Sequence, residues 1–209
     1  MKKLRHTSLA CAGAVALTLA LFVPTSAYAD SGSTAEGEPD EFVATAPMNI
    51  VGYDAEVAEA HGYRIETDAN GVQYSVPVTP EAIAEAARDE AAASELMQAR
   101  GTVQGNCGQS SLTGRKGPND TVHFSTSFII VGSVAEYDWA IDAHGFVSSN
   151  SWATAGVGPL PGGTKAWTGA IPGVIGFGNA QVPANSARAA VIKSNGGVCW
   201  SGGPSFTFD

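Results

Sequence analysis

Residues 122–143 read VHFSTSFIIVGSVAEYDWAIDA, and this stretch decides the fold. On either side of Gly132-Ser133, apolar and polar residues alternate with the two-residue period of a strand. Gly-Ser between two such runs fits a two-residue type II′ turn, so the segment predicts a β-hairpin of fixed register. In that register Phe128 faces Tyr137, Thr126 faces Trp139 and Phe124 faces Ile141, which makes one apolar side. Ile129 then opposes Glu136, Ser127 opposes Asp138 and His123 opposes Asp142 on a mostly polar side. A slip of one residue would bury the acids, so the phase of both runs is set.

The same texture continues outward. From Gly101 to the end, short β-type runs alternate with Gly, Pro, Asn and Ser and show no helical period. Further strands are expected near 146–155, which would bring Trp152 close to Tyr137, and near 165–171, 174–182, 187–193, 197–201 and 205–208. GQSSLTGRKGPND at 108–120 reads as turn-forming. The predicted class is mainly β: an antiparallel β-sandwich, or a barrel-like relative of one, of about 7–9 strands.

The N-terminal half is different. Residues 1–29 carry Lys2, Lys3 and Arg5, an apolar run to Val23 and a small-x-small site at Ala27-Tyr28-Ala29, the pattern of a bacterial-type signal peptide. Residues 30–46 are small, acidic and unpatterned, as expected of a disordered leader. Residues 47–103 read as a small acidic α/β segment. A short helix near 54–61 is stopped by Gly62, a hairpin from about Tyr63 to Val78 turns on Asn70-Gly71, and an Ala-rich helix runs from Thr79-Pro80-Glu81 to Gly101. That helix offers few large apolar side chains and is expected to be a solvated arm.

Charge follows the same division. After signal removal, 20 acids stand against 8 Lys and Arg, a net −12, and 15 of the acids precede residue 104. Nucleic acid and anionic lipid are poor partners for such a chain. No segment after the signal is long and apolar enough to span a bilayer. The acidic 47–103 segment, joined near Arg100-Gly101 to the charge-balanced residues 104–209, has the organisation of a prosegment.

Signal removal leaves two cysteines, Cys107 and Cys199, and in an exported chain such a pair reads as a disulfide. Its loop of about 93 residues corresponds to ~4–5 kcal/mol in the chain-entropy treatment. Cys107-Gly108-Gln109-Ser110-Ser111 resembles the papain-family nucleophile segment, C-G-[SA]-C-[WY], and SSNSWA at 148–153 is similar to the piece carrying that family's orienting Asn. Ser110 stands at the nucleophile position, the aromatic is absent, and Cys107 falls where that family has a structural cysteine. The disulfide reading therefore stands, with Cys107 at the first edge of the β domain.

His123 opposite Asp142 is the sharpest candidate pair, because a carboxylate beside an imidazole orients it as a general base or metal ligand. Asp138 shares their face. Glu136, Asp138 and Asp142 together offer oxygens to calcium, the one cofactor the sequence suggests. Trp167 and Trp200, in Gly-rich surroundings, are candidate binding aromatics for a glycan or a protein surface. The expected function is a secreted, non-catalytic β-sandwich that binds a protein or glycan in the cell envelope or medium. The alternatives are an exported hydrolase with a prosegment, using His123 and Asp142, and a secreted inhibitor or toxin-like protein.

Overall fold

The computed structural model describes residues 43–99, 105–160 and 163–209. The expected signal peptide, most of the leader and the stop of the long helix at Gly101 lie outside the described residues. In chain order the elements are β1 (Ala44–Tyr53), α1 (Ala55–Ala60), β2 (Tyr63–Thr67), β3 (Gln73–Pro77), α2 (Pro80–Ala99), β4 (Gly108–Gly117), β5 (Thr121–Ile130), β6 (Val134–Gly145), β7 (Ser149–Leu160), β8 (Thr164–Ile171), β9 (Gly178–Gln181), β10 (Ala190–Lys193), β11 (Gly197–Ser201) and β12 (Ser205–Phe208).

The fold is mainly β and antiparallel, a sandwich and not a closed barrel. One continuous sheet runs β8-β5-β4-β1-β11-β10-β6-β7, and β9 with β12 extends the β6 side beyond β10. The sheet folds over so that β5 and β8 lie against β6 and β7. Trp152 of β7 and Trp167 of β8 approach to 6.0 Å between ring centres across the two sheet margins.

The alternation in residues 122–143 places the core correctly and the strand pairing incorrectly. Phe124, Phe128, Trp139 and Ile141 are buried in one cluster. Phe128 lies 5.9 Å from Tyr137 and 5.3 Å from Trp139, and Trp139 Nε1 donates to Thr126 Oγ1 at 3.0 Å. Yet β5 does not pair with β6. It pairs with β4 and β8, whereas β6 pairs with β7, β9 and β10. The chain at Val131–Ser133 crosses from one layer to the other, so inner-phase residues meet face to face through the core instead of side by side in a sheet. Either arrangement satisfies the apolar phase equally. The hairpin comes one strand later, joining β6 to β7 with His144 opposite Ser149. Trp152 stands opposite Ile141 there, and its ring packs on Phe124 at 5.1 Å.

Two further expectations change. GQSSLTGRKG is no turn but the ten-residue strand β4, held between β1 and β5, so it is not an edge either. Small residues suit it because its inner side meets bulk: a Cβ on Gly114 would lie 2.5 Å from the Phe206 ring. Its two serine hydroxyls are paired, Ser110 with Ser201 at 2.9 Å and Ser111 with Ser127 at 2.7 Å, whereas the buried Thr113 hydroxyl has no partner among the described residues. Moreover, β1 begins inside the stretch assigned to the leader and runs between β4 and β11, with Met48 opposite both Gly108 and Ser201. The strand that opens the acidic segment is thus a central strand of the sandwich.

The elements between β1 and β4 follow their sequence signals. Asp54 caps α1 by accepting from Val57 N, Gly62 takes a positive φ of 79° after it, and Thr79 Oγ1 accepts from Ala82 N to start α2. In α2, Ala82 is buried, Glu85, Ala86 and Asp89 are half-buried, and Ile83 is exposed. This narrow seam carries ionisable groups inward. Lys193, at the end of β10, is buried, and burial lowers its pKa against the opposing pull of Asp89 and Glu85. Burial pushes the Asp89 carboxyl up, opposed by Lys193 and assisted by Glu85. The Tyr63 hydroxyl is pushed up to about 12, chiefly by burial, with Glu85 and Asp89 adding to it.

The folded protein therefore holds the Asp89 proton to a higher pH than the unfolded chain does. Its contribution to stability is present at low pH and is lost as pH rises from 3.8 through the raised value. Asp89→Asn removes this titration. Melting curves should show the variant gaining on the wild type as pH rises through that window; a constant difference would show that Asp89 is not desolvated.

Candidate functional site

The candidate residues of the polar phase fall on two separate surfaces. His123 is exposed on β5, between Arg115 of β4 and Ala170 of β8, with its ring over Gly117. Asp142 is half-buried on the outer side of β6, where both its oxygens accept from Arg188, at 2.8 and 2.7 Å. This bidentate contact raises the Arg188 pKa further. Because β5 and β6 belong to opposite layers, their outer phases point away from each other. A base at His123 oriented by Asp142 is not assembled.

Glu136, Asp138 and Asp142 do share the outer side of β6, as expected for a calcium set. Arg188 occupies the Asp142 end, however, and among the described residues no three His, Cys, Asp or Glu side chains form a group able to hold a metal ion. Trp167 is half-buried in the core's aromatic row, stacked on Trp139 at 6.2 Å and tilted against Tyr137 at 5.5 Å. Its role is packing between the two margins. Cys107 and Cys199 are bonded, with Cα atoms 6.1 Å apart, inside the range a disulfide requires.

Glu136 and Asp138 gain neighbours that sequence reasoning did not supply. Ile192 of β10 and Val157 of β7 flank Glu136, and Ala190 and Ala155 flank Asp138. These side chains line a groove of about 350 Å³ on the outer face. Its floor is apolar, and two carboxylates about 7 Å apart along the strand rise from its centre line. Among the described residues no cation lines it: Arg188 is engaged by Asp142, and Lys193 is buried.

Trp200 of β11 continues the Asp138 row. It sits opposite Ala190 on one side and Asn49 on the other, half-buried and about 10 Å from Asp138. Trp200 is not one of the residues lining the groove but lies one strand beyond Ala190 on the same face. Of the candidate residues, Glu136, Asp138 and Trp200 are therefore brought onto one face, whereas His123, Asp142 and Trp167 are not part of the groove. Ala190 and Ile192 escaped notice because they lie more than 50 positions from Glu136 in the chain. The one available signal was the short apolar run AVI at 190–192.

On the margin of this face, β7 pairs with β6 along one side, and no described residue pairs with its other side. The strand, SNSWATAGVGPL, carries no charge. Such a margin presents backbone donors and acceptors to an incoming strand. Compared with protein-family models, curated proteins and solved structures, the chain matches none.

Proposed function

We propose that this is a secreted, non-catalytic binding protein of the cell envelope or medium, and that it captures an extended segment of a partner protein on the β7-β6-β10 face. The observation that carries this reading is the groove, in which two carboxylates with no ion-pair partner among the described residues stand over an apolar floor. A complementary ligand alternates basic and apolar side chains. An extended peptide does so with the period of the sheet, and adding to the margin of β7 would lay every second side chain beside Ala155 and Val157. Dispersal of His123 and Asp142 supports binding over hydrolysis.

The test uses two synthetic peptides, one alternating lysine with valine and one alternating glutamate with valine, titrated against the full protein while Trp fluorescence is followed. Only the lysine peptide should bind, more weakly at high salt. Glu136→Gln with Asp138→Asn should weaken it about tenfold, the loss of roughly 1.4 kcal/mol from two rim charges. Equal binding of both peptides, or no effect of the double substitution, would sink the proposal.

A further inference from the structure

At the end of the sandwich opposite α2, two loops carry large apolar side chains outward. Phe146 and Val147, between β6 and β7, are 76% and 68% exposed; Ile175 and Phe177, between β8 and β9, are 42% and 61% exposed. The two Phe rings stack at 5.2 Å with 25° between their planes, so the four side chains form one projecting tip. A contiguous exposed apolar patch of this kind marks an interaction surface.

The polar groups of these loops are turned onto one another. Phe146 N donates to Phe177 O at 2.9 Å, Val147 N to Ile175 O at 3.2 Å and Gly145 N to Ser148 O at 2.8 Å. Ile175 N donates to Ser148 Oγ, which donates to Gly173 O at 2.6 Å, and Asn150 Nδ2 donates to Pro172 O at 2.9 Å. Val174 N donates to Asp120 O, and the Lys116 ammonium, from the base of the tip, donates to the carbonyls of Val174 and Gly176. Charge is missing as well: from Gly145 to Ala187 the single charged residue is Lys165, in a chain of net charge −9.

A protein partner would call for outward hydrogen-bonding groups, about one bond per 100–200 Å² of contact. A segment entering lipid must instead satisfy its backbone internally and carry no charge, because hydrocarbon offers neither donor nor acceptor. The tip loops carry no charge and turn much of their backbone inward, as a shallow insertion requires. We infer that Phe146, Val147, Ile175 and Phe177 form a membrane-docking tip that inserts shallowly into a zwitterionic phospholipid bilayer. The acidic body of the protein sets the lipid class, since anionic headgroups repel it.

Flotation of the full protein with phosphatidylcholine vesicles tests this. The wild type should float, and less of it should float with phosphatidylglycerol vesicles. Phe146→Ser with Phe177→Ser should lower the bound fraction at least tenfold while leaving the melting temperature and peptide binding at the groove unchanged. Phe177→Trp should show blue-shifted fluorescence on the vesicles and quenching by brominated acyl chains, which keeps the proposal testable should the double variant not fold. Wild-type protein that stays out of the lipid fraction, a double variant that still floats, or an unquenched Trp on bound vesicles would each overturn it. So would a wild-type dimer that the double substitution turns into a monomer without any vesicle binding, because the tip would then join two copies.

Discussion

A chain that starts at Gly101 is expected not to fold. It would contain β4 through β12, yet between β4 and β11 it would leave the slot of β1 empty, exposing the hydrogen-bonding edges of both and the cavity of Met48. The loss exceeds a single core truncation, because about 2–5 kcal/mol for one large side chain is joined by the unpaired backbone of two strands. Against a total stability of about 5–15 kcal/mol, the cooperative melting transition should disappear.

A synthetic peptide of residues 43–54 added in trans should restore that transition, and a peptide with Met48→Asp should not. If the truncated chain melts cooperatively without the peptide, β1 is dispensable and the prosegment organisation returns. Mass spectrometry of the protein isolated from its source addresses the same point: the β1 residues should remain part of it.

The disulfide gives the second large effect. Cys107→Ala with Cys199→Ala is expected to lower stability by about 4 kcal/mol and the melting temperature by roughly 8–16 °C, since the closed loop spans most of the sandwich. Cys199 lies on β11, and Cys107, just before β4, donates its backbone N–H to Met48 O. The bond therefore joins the two neighbours of β1. This links it to the first experiment: the peptide should rescue an oxidised truncated chain at lower concentration than a reduced one, because the oxidised slot is already held together. A melting temperature indifferent to reductant would refute the stabilising role.

What the sequence conveyed was phase. Of the residues of 122–143 placed on the apolar side, Phe124, Thr126, Phe128, Trp139 and Ile141 are buried and Tyr137 packs against them half-buried, with Phe128 meeting Tyr137 as the alternation implies. What alternation does not encode is whether two such strands lie side by side or face to face, because each arrangement buries the same side chains. The difference falls entirely on the outer phase, and it separates His123 from Asp142.

Other features were hidden for other reasons. β4 looked like a turn because an inner strand facing bulky Phe rings is selected for smallness, and Gly and Ser serve both purposes. β1 looked partly like a leader because the residues before Met48 are small and half-exposed. The groove was half legible. Its acids stood out on β6, but the floor that makes them a site arrives from β7 and from β10, and sheet order is a long-range property. Local signals with local causes, Gly62 after α1, the Thr79 cap of α2 and the Asn70-Gly71 turn, were read correctly.

The position of β1 also sets an order of events in time. Met48 finds Ser201 across β1 and β11, partners near opposite ends of the described chain, while the short-range hairpins β4-β5 and β6-β7 close early. Contacts of such long sequence separation slow folding, because loop entropy must be overcome before they form. The sheet becomes continuous only after the final strands have been synthesised. Until then the chain can hold hairpins but no sandwich, and β1 has nothing to clamp it on the β11 side.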